Sequence, residues 1–317
     1  MRVLSIDGGG IRGIVPALVL ADLERRAGRP TADLFDLVAG TSTGGILAAA
    51  LTLAGPDGRP RYAARDLVGL YEEEGPRIFD RSLAKRVASA EGLLEERYDD
   101  GGLRDALRRY LGDARLSAAL TDVLITAYDL EERAAFFFRS RRARRSARHD
   151  FTLVDAVRAT AAAPSYFEPQ LVHDGAGGRH VLVDGGVFAT NPAMCAYADV
   201  ARAGEAVELV ASLGTGSLTR PIRLEDARGW GQLEWVRPIL DVVFDGVADT
   251  VDFQLAQLLP PGGYVRLQTA LREASDDLDD VRPANLRALR REAERLLREH
   301  AAQLDALAGR LAAPSGA

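Results

Sequence analysis

A serine flanked by glycines stands early in the chain, in Gly40-Thr-Ser-Thr-Gly44. This G-x-S-x-G spacing is typical of a nucleophile elbow, where a serine at a tight strand-to-helix turn attacks a carbonyl carbon. An apolar run over Leu34 to Ala39 precedes the pattern, and the helix-like stretch Gly45-Ile-Leu-Ala-Ala-Ala follows it. Gly40 and Gly44 let the backbone take strained angles and leave room for a substrate. Ser42 is therefore a candidate nucleophile.

A serine hydroxyl is a poor nucleophile unless a base takes its proton. In α/β-hydrolases the catalytic residues follow the chain order serine, acid, histidine. Of the four histidines, only His300 lies late enough to complete such a triad, and its neighbours resemble a helix surface. Asp184 is the better candidate, because it ends an apolar strand-like run and is followed by two glycines. A carboxylate is a weak base, with a usual pKa of ~3.9, but it suffices for an ester when it is partly desolvated. His180 is the next candidate base.

A second glycine motif, Ser-Ile-Asp-Gly-Gly-Gly-Ile-Arg-Gly-Ile, begins at Ser5 and satisfies the dinucleotide fingerprint G-x-G-x-x-G. A nucleotide site would also need an acid at the end of a second strand about 20 residues later. That acid is missing, since Asp33 and Asp36 precede or lie inside the run that leads to Ser42. The motif therefore favours a different anion.

If Ser42 performs acyl transfer, the anion is the oxyanion of the tetrahedral intermediate. This intermediate needs hydrogen-bond donors aimed at its developing negative charge. The backbone N–H groups of Gly8, Gly9 and Gly10 are the candidate donors. Arg12, near the start of the following helix, would reinforce the field or brace the loop.

Apolar runs of strand length alternate with helix-like stretches, which predicts a largely parallel sheet covered by helices on both faces. Gly28 is the expected C-cap of the first helix. The predicted strands are Arg2 to Ile6, Leu34 to Ala39, Val123 to Tyr128, Phe136 to Arg139, His180 to Val183 and Val207 to Leu213. The predicted helices are Ile14 to Ala27, Gly45 to Ala54, Ala64 to Glu74, Leu103 to Leu111, Leu153 to Ala162 and Pro192 to Arg202.

The composition of the 317 residues is that of a soluble globular protein. The net charge of −6 argues against nucleic acid as a partner. Cys195 is the only cysteine, and the glycine loop leaves no room before it for a leader peptide, so we expect a cytoplasmic location. The longest apolar run, Ile46 to Ala54, has about half of the ~20 residues that a membrane span needs.

Four blocks in order together resemble the patatin-like phospholipases. They are Asp7-Gly-Gly-Gly-Ile-Arg-Gly13, Gly40-Thr-Ser-Thr-Gly-Gly45, Arg158-Ala-Thr-Ala-Ala-Ala-Pro-Ser-Tyr-Phe167 and Asp184-Gly-Gly186. The resemblance implies a three-layer α/β/α sandwich with a mostly parallel sheet. It also implies a Ser42/Asp184 dyad, an oxyanion hole at Gly8, Gly9 and Gly10, and no metal or other cofactor. We expect one domain over residues 1–317, with the core motifs within residues 3–200.

The predicted function is a lipid acyl hydrolase of the phospholipase A type that forms an acyl-enzyme. Phospholipid is implied by the resemblance, whereas the residues themselves indicate only an ester. An acyltransferase or a thioesterase would use the same dyad. A binding or storage protein with a vestigial dyad is the rival from another class.

Two segments suggest further partners. Phe136-Phe137-Phe138 precedes six arginines within Arg139 to Arg148, which would suit peripheral contact with the anionic inner face of a membrane or form a strand and a solvated basic loop. The C-terminal leucines predict a long amphipathic helix that packs on the chain's own body, forms a dimer seam or faces a membrane. They are Leu286, Leu289, Leu296, Leu297, Leu304, Leu307 and Leu311.

Overall fold

A single sheet of eight strands forms the centre of the protein. The computed structural model describes residues 1–79, 98, 100–217 and 220–313. The strands are β1 Arg2–Ile6, β2 Leu37–Gly40, β3 Asp122–Asp129, β4 Ala134–Arg139, β5 Gln170–His173, β6 Arg179–Asp184, β7 Leu209–Leu213 and β8 Tyr264–Leu267.

The sheet is mostly parallel. β1 pairs in parallel with β2 and β7, β2 pairs in parallel with β3, and β7 pairs in parallel with β8. Antiparallel pairs join β3 to β4 and β6, and β6 to β5. The order places β1 and β2 near the centre, so the segments that follow both strands emerge side by side at one edge of the sheet.

Helices cover both faces of the sheet, because alternate strand residues point to opposite sides. Leu4 and Ile6 of β1 pack in a large core with the first helix and with the helix that follows Ser42. Val3 packs on the other face, in a smaller core that includes Val251 and Leu255. The predicted α/β/α layering is therefore confirmed.

The main helices lie close to the predicted positions, and Gly28 is the left-handed C-cap that the sequence predicted. The predicted helix over Ala64 to Glu74 is α-helical only at first and continues as a π-helical turn over Leu70–Glu74. The α-helices are Ile14–Ala27, Thr31–Leu34, Thr43–Leu51, Ala64–Gly69, Gly75–Ile78, Asp100–Leu111, Ser140–Arg145, Leu153–Ala161, Gly186–Ala189, Ala193–Arg202, Leu224–Ala227, Gln232–Leu258, Pro283–Glu299 and Ala301–Ala312. No helix within the described residues is long and apolar enough to cross a bilayer.

Several predicted boundaries were wrong. The strand predicted over Leu34 to Ala39 begins only at Leu37, because Thr31–Leu34 forms a helical turn. The four-residue strands β5 and β8 were missed, since they are too short to show a clear period.

The segment of phenylalanines and arginines takes part in the protein's own packing. Phe138 is fully buried, and the centroid of its ring lies 4.9 Å from the ring centroid of Phe136 and 5.0 Å from that of Phe151. Four of the arginines form ion pairs with acidic side chains, namely Arg139 with Asp199, Arg141 with Asp122 and Glu205, Arg144 with Asp122, and Arg148 with Asp174. Part of this segment therefore packs within the protein, and peripheral membrane contact stays a prediction.

The C-terminal leucines pack inward. Two helices, Pro283–Glu299 and Ala301–Ala312, replace the single predicted helix, and both contact the helix Ile14–Ala27. Leu289 and Leu304 are fully buried in the large core. The sequence left three roles open for these leucines, and the structure agrees with the first of them, packing on the chain's own body.

Leu289→Ala should therefore lower the free energy of unfolding by about 2–5 kcal/mol, because it leaves a cavity in a close-packed core. Arg287→Ala, an exposed position on the same helix, is the matched control and should change it by less than about 0.5 kcal/mol. Chemical denaturation followed by circular dichroism measures both. Equal stability of the two variants would contradict this packing.

Candidate active site

Two strands meet end to end along one edge of β3. β2 pairs with the first half of β3, with Gly40 opposite Ile125, and β6 pairs with the second half in the opposite direction, with Asp184 opposite Ala127. β4 occupies the other edge of β3 over both halves. The last residues of β2 and β6 are therefore about two residue spacings apart, or roughly 7 Å, and Ser42 follows directly.

Ser42 lies in a strained turn between β2 and the helix Thr43–Leu51. Its φ of 53° is in the left-handed region, which is uncommon for a residue other than glycine. The backbone is closely packed around this turn. A Cβ on Gly40 would lie 2.2 Å from the Gly44 carbonyl oxygen, and a Cβ on Gly44 would lie 2.1 Å from the Ile6 carbonyl oxygen. Both glycines of the elbow are therefore required by backbone contact.

The Ser42 side chain lies beside the Asp184 carboxylate, and both line the same cavity. Asp184 is 3% exposed, and its Oδ1 accepts a hydrogen bond of 2.7 Å from the Gly186 backbone N–H. Burial raises the pKa of Asp184 to about 7, although the neighbouring Ser42 side chain and the hydrogen bond from Gly186 favour its charged form. A carboxylate of this kind is a far better proton acceptor near neutral pH than an exposed aspartate.

The glycine loop after β1 lies against the elbow. A Cβ on Gly8 would lie 3.3 Å from the Ser42 Cβ. The Gly8 N–H already donates to the Thr190 carbonyl oxygen at 2.9 Å, and its role as an oxyanion donor stays a prediction. Within the residues that the structure describes, the N–H groups of Gly9 and Gly10 donate to no protein acceptor. These two amides are the candidate donors.

Side chains around the loop hold it in place. Arg12 braces the loop through a 3.3 Å hydrogen bond from its Nε to the Gly9 carbonyl oxygen. Thr215, after β7, donates from Oγ1 to the Gly8 carbonyl oxygen at 2.7 Å. A Cβ on Gly10, whose φ is +57°, would lie 2.2 Å from the Leu278 carbonyl oxygen. The loop therefore has little freedom to move.

Other residues that support the site were not identified from the sequence. Thr160 accepts a 2.8 Å hydrogen bond from the Ser42 N–H, and it lies in the third family block. Asp7 forms a buried ion pair of 2.6 Å with Arg266 of β8. The block itself was a signal for Thr160, whereas Arg266 belongs to a strand that the sequence did not reveal.

The dyad and the glycine loop line one cavity of about 290 Å³. Its wall is largely apolar, which suits a hydrocarbon chain better than a charged metabolite. Ala161 and Phe167 of the third block contribute to it. Further apolar side chains come from Ile46, Ile78, Phe79, Leu103 and Phe244.

None of the four histidines, all within the described residues, lines the cavity. The His180 Nδ1 hydrogen-bonds Asp129 at 3.0 Å, and its ring packs 4.8 Å from that of Phe136. The His300 Nδ1 contacts Gln303 on the surface. The structure therefore gives no support to a base other than Asp184.

The fold is an α/β sandwich with a serine and a buried aspartate in one cavity, and comparison with known proteins gives the family. Residues 4–197 match the family model described as Patatin-like phospholipase. The chain is 33% identical to Patatin-like protein 2 of Arabidopsis thaliana over 96% of its length and 84% of that protein. It is 32% identical to Patatin-04/09 of Solanum tuberosum over 94% of its length and 84% of that protein.

The chain belongs to the patatin-like phospholipase family. Membership supports lipid acyl hydrolase activity in general. A relative named Probable inactive patatin-3-Kuras 1, also from Solanum tuberosum, is 31% identical over 94% of this chain and 87% of its own length. Whether an individual member of the family is active therefore depends on its own site residues.

Gly44→Ala should destabilise the fold by about 1–3 kcal/mol, because the added Cβ would collide with the Ile6 carbonyl oxygen. Gly309→Ala is the control, since nothing lies within 4 Å of that Cβ and alanine favours the helix. Thermal and chemical unfolding of both variants measures the difference. A Gly44→Ala protein as stable as Gly309→Ala would show that the elbow does not contact β1.

Proposed function

We propose that this protein is a serine-dependent lipid acyl hydrolase that cleaves carboxylic esters through an acyl-enzyme. The observation that carries the proposal is that Ser42 and the buried Asp184 lie together in one largely apolar cavity, beside the Gly9 and Gly10 amides, which donate to no acceptor among the described residues. The intact dyad distinguishes this proposal from a storage or binding protein with a vestigial site.

In the first half-reaction, the Ser42 Oγ attacks the ester carbonyl carbon while its proton passes to the Asp184 carboxylate. The carbonyl oxygen becomes an oxyanion, and the N–H groups of Gly9 and Gly10 are positioned to donate to it. Removing one such donor typically costs a factor of about 10² to 10³ in rate. Collapse of the tetrahedral intermediate breaks the ester C–O bond, and the alcohol leaves with the proton from Asp184.

In the second half-reaction, water enters the place that the alcohol has left. Asp184 accepts a proton from this water as its oxygen attacks the acyl carbon, and the same amides stabilise the second oxyanion. The bond to the Ser42 Oγ then breaks, and its oxygen regains a proton from Asp184. The free fatty acid leaves and the dyad returns to its starting state.

The substrate class follows from the cavity and the family together. Apolar walls favour an acyl chain, and the family model is named for phospholipases. We therefore propose phospholipid as the preferred ester, with release of a fatty acid and a lysophospholipid.

A fluorophosphonate probe should label the wild-type protein at Ser42 and leave Ser42→Ala unlabelled, because the probe reacts only with an activated serine. Ser217→Ala is the matched control, since Ser217 is another serine of the same cavity and should not affect labelling. Peptide mass spectrometry locates the label. Equal labelling of wild type and Ser42→Ala would remove the nucleophile assignment.

Incubation with mixed phospholipids in the presence of a chelator should release free fatty acid and lysophospholipid, identified by mass. Adding a lysolipid or alcohol acceptor separates hydrolysis from acyl transfer, because a transferase would form a new ester instead of the free acid. Wild-type protein that labels at Ser42 but yields only the new ester would favour the acyltransferase.

The value of kcat/KM for a water-soluble p-nitrophenyl ester should fall about tenfold per pH unit below about pH 7, because Asp184 must lose its proton to act as the base. Asp184→Asn should lose most of the activity and this pH dependence. A profile that stays flat from pH 5 to pH 8 in the wild type would require a different base.

The same variant offers a stability check. The folded protein retains the Asp184 proton up to about pH 7, whereas the unfolded chain releases it near pH 3.8, so ionisation of Asp184 destabilises the fold as pH rises between these values. Asp184→Asn cannot ionise. Its free energy of unfolding should therefore exceed that of the wild type above pH 7, and the difference should shrink toward pH 4.

A further inference from the structure

Exposed apolar side chains are concentrated in one part of the described surface. Eight of the eleven large hydrophobic residues that are exposed there lie between Ile222 and Leu258. Exposed apolar side chains that gather on one face of a folded protein indicate an interaction site, whereas scattered ones are ordinary surface. The eight are Ile222, Leu224, Trp235, Ile239, Val242, Val243, Phe253 and Leu258.

The helix Gln232–Leu258 has apolar residues on two opposite sides. Val251 and Leu255 are buried against the sheet, and Phe244 faces the cavity that contains Ser42. On the other side, helical spacing aligns Trp235 with Ile239, Val242 and Phe253 in one exposed stripe. We call Trp235, Ile239, Val242, Val243 and Phe253 the apolar ridge. Its side chains are 37–68% exposed, which core packing does not explain.

Both tryptophans of the chain lie at this surface. Trp230 and Trp235 contact each other edge to face, with ring centroids 5.1 Å apart, and Trp235 belongs to the ridge. Tryptophan combines a large apolar ring with a polar N–H and is enriched where proteins meet the boundary between lipid and water.

The charge of the segment indicates which lipids would suit it. Residues 220–258 contain four arginines and seven acidic residues, a net charge of −3. Such a surface gains nothing from the negative potential of anionic lipids, so burial of apolar area must supply the attraction.

We propose that the apolar ridge docks the enzyme on a neutral or zwitterionic lipid surface. The proposal rests on the proposed function, since a lipid acyl hydrolase must draw its substrate from an aggregate or a bilayer. The helix separates the ridge from the cavity by about one helix diameter, roughly 10 Å. Phe244, Ala248 and Asp249 line the cavity from this helix, so docking would place the cavity next to the lipid.

Binding can be tested without hydrolysis by using vesicles of dialkyl ether phosphatidylcholine, which has no ester to cleave. Wild-type protein should sediment with these vesicles, and its tryptophan emission should shift to shorter wavelength because both tryptophans enter a less polar environment. Adding phosphatidylglycerol should not strengthen the binding. No sedimentation with the neutral vesicles, or binding only when phosphatidylglycerol is present, would overturn the proposal.

The double variant Ile239→Asp/Val242→Asp should weaken vesicle partitioning by at least about tenfold, because charges replace two exposed apolar side chains that docking would bury in lipid. Leu171→Asp is the matched control, since Leu171 is exposed to a similar extent on β5, and it should bind like the wild type. Unchanged thermal unfolding of both proteins confirms that they are folded. Equal partitioning of the double variant and the control would contradict the assignment of the ridge.

Hydrolysis of a water-soluble ester by the wild type separates the two proposals. Soluble-ester activity without vesicle binding would overturn docking alone, and vesicle binding without any ester hydrolysis would overturn the proposed function. Sedimentation velocity tests the alternative that a second copy of the chain covers the ridge. A wild-type dimer that the double variant dissociates, together with absence of vesicle binding, would assign the ridge to a second copy of the chain and overturn the lipid proposal.

Discussion

The pairing of two strands along a single edge of β3 is the constraint on which the site depends. β2 runs toward the site and ends at Gly40, and β6 runs in the opposite direction and ends at Asp184, at the level of Ala127. Backbone hydrogen bonds set these levels, and a slip of one residue would turn every side chain of the shifted strand to the other face. The serine hydroxyl and the carboxylate therefore meet because of sheet register. β1 adds the glycine loop at the same place, with Ile6 opposite Gly40.

Close contacts between backbone segments hold the elbow and the glycine loop in fixed positions. The elbow presses Gly44 against the Ile6 carbonyl oxygen, and the loop presses Gly10 against that of Leu278, so the Gly9 and Gly10 amides have fixed directions. Such preorganised donors stabilise developing charge without reorganising during the reaction. Burial also raises the pKa of Asp184, the proposed base, to about 7, so that ionisation of this carboxyl destabilises the folded protein as the pH rises from about 4 to about 7. Stability is given up where activity needs a strained or desolvated group.

Much of the fold was predictable because its signals are local. Apolar runs marked β1, β3 and β7, and the helix Ile14–Ala27 was predicted with its glycine cap. Motif spacing selected Ser42 and Asp184 as candidates for the same reason, since each stands at a strand end with glycines beside it. The sequence could not reveal contacts between residues that are far apart along the chain. The Gly8 N–H is taken by Thr190, a contact between residues 182 positions apart that no pattern around the loop reveals. The phenylalanine and arginine segment resembled a membrane-binding motif, yet its ion pairs are made with acids from other elements.

The sequence by itself determined the residue types of the site, the strand and helix character of most segments, and the glycines without which the elbow and loop cannot form, because these depend on steric and periodic properties of neighbouring residues. Only the tertiary structure decided that β6 is antiparallel, that Arg266 from a missed strand pairs with Asp7, and which glycine amides remain unused. It also showed that the C-terminal leucines are buried while the ridge of the helix Gln232–Leu258 is exposed. Both are apolar stripes at helical spacing, and burial depends on what packs against them, which is a property of the whole chain.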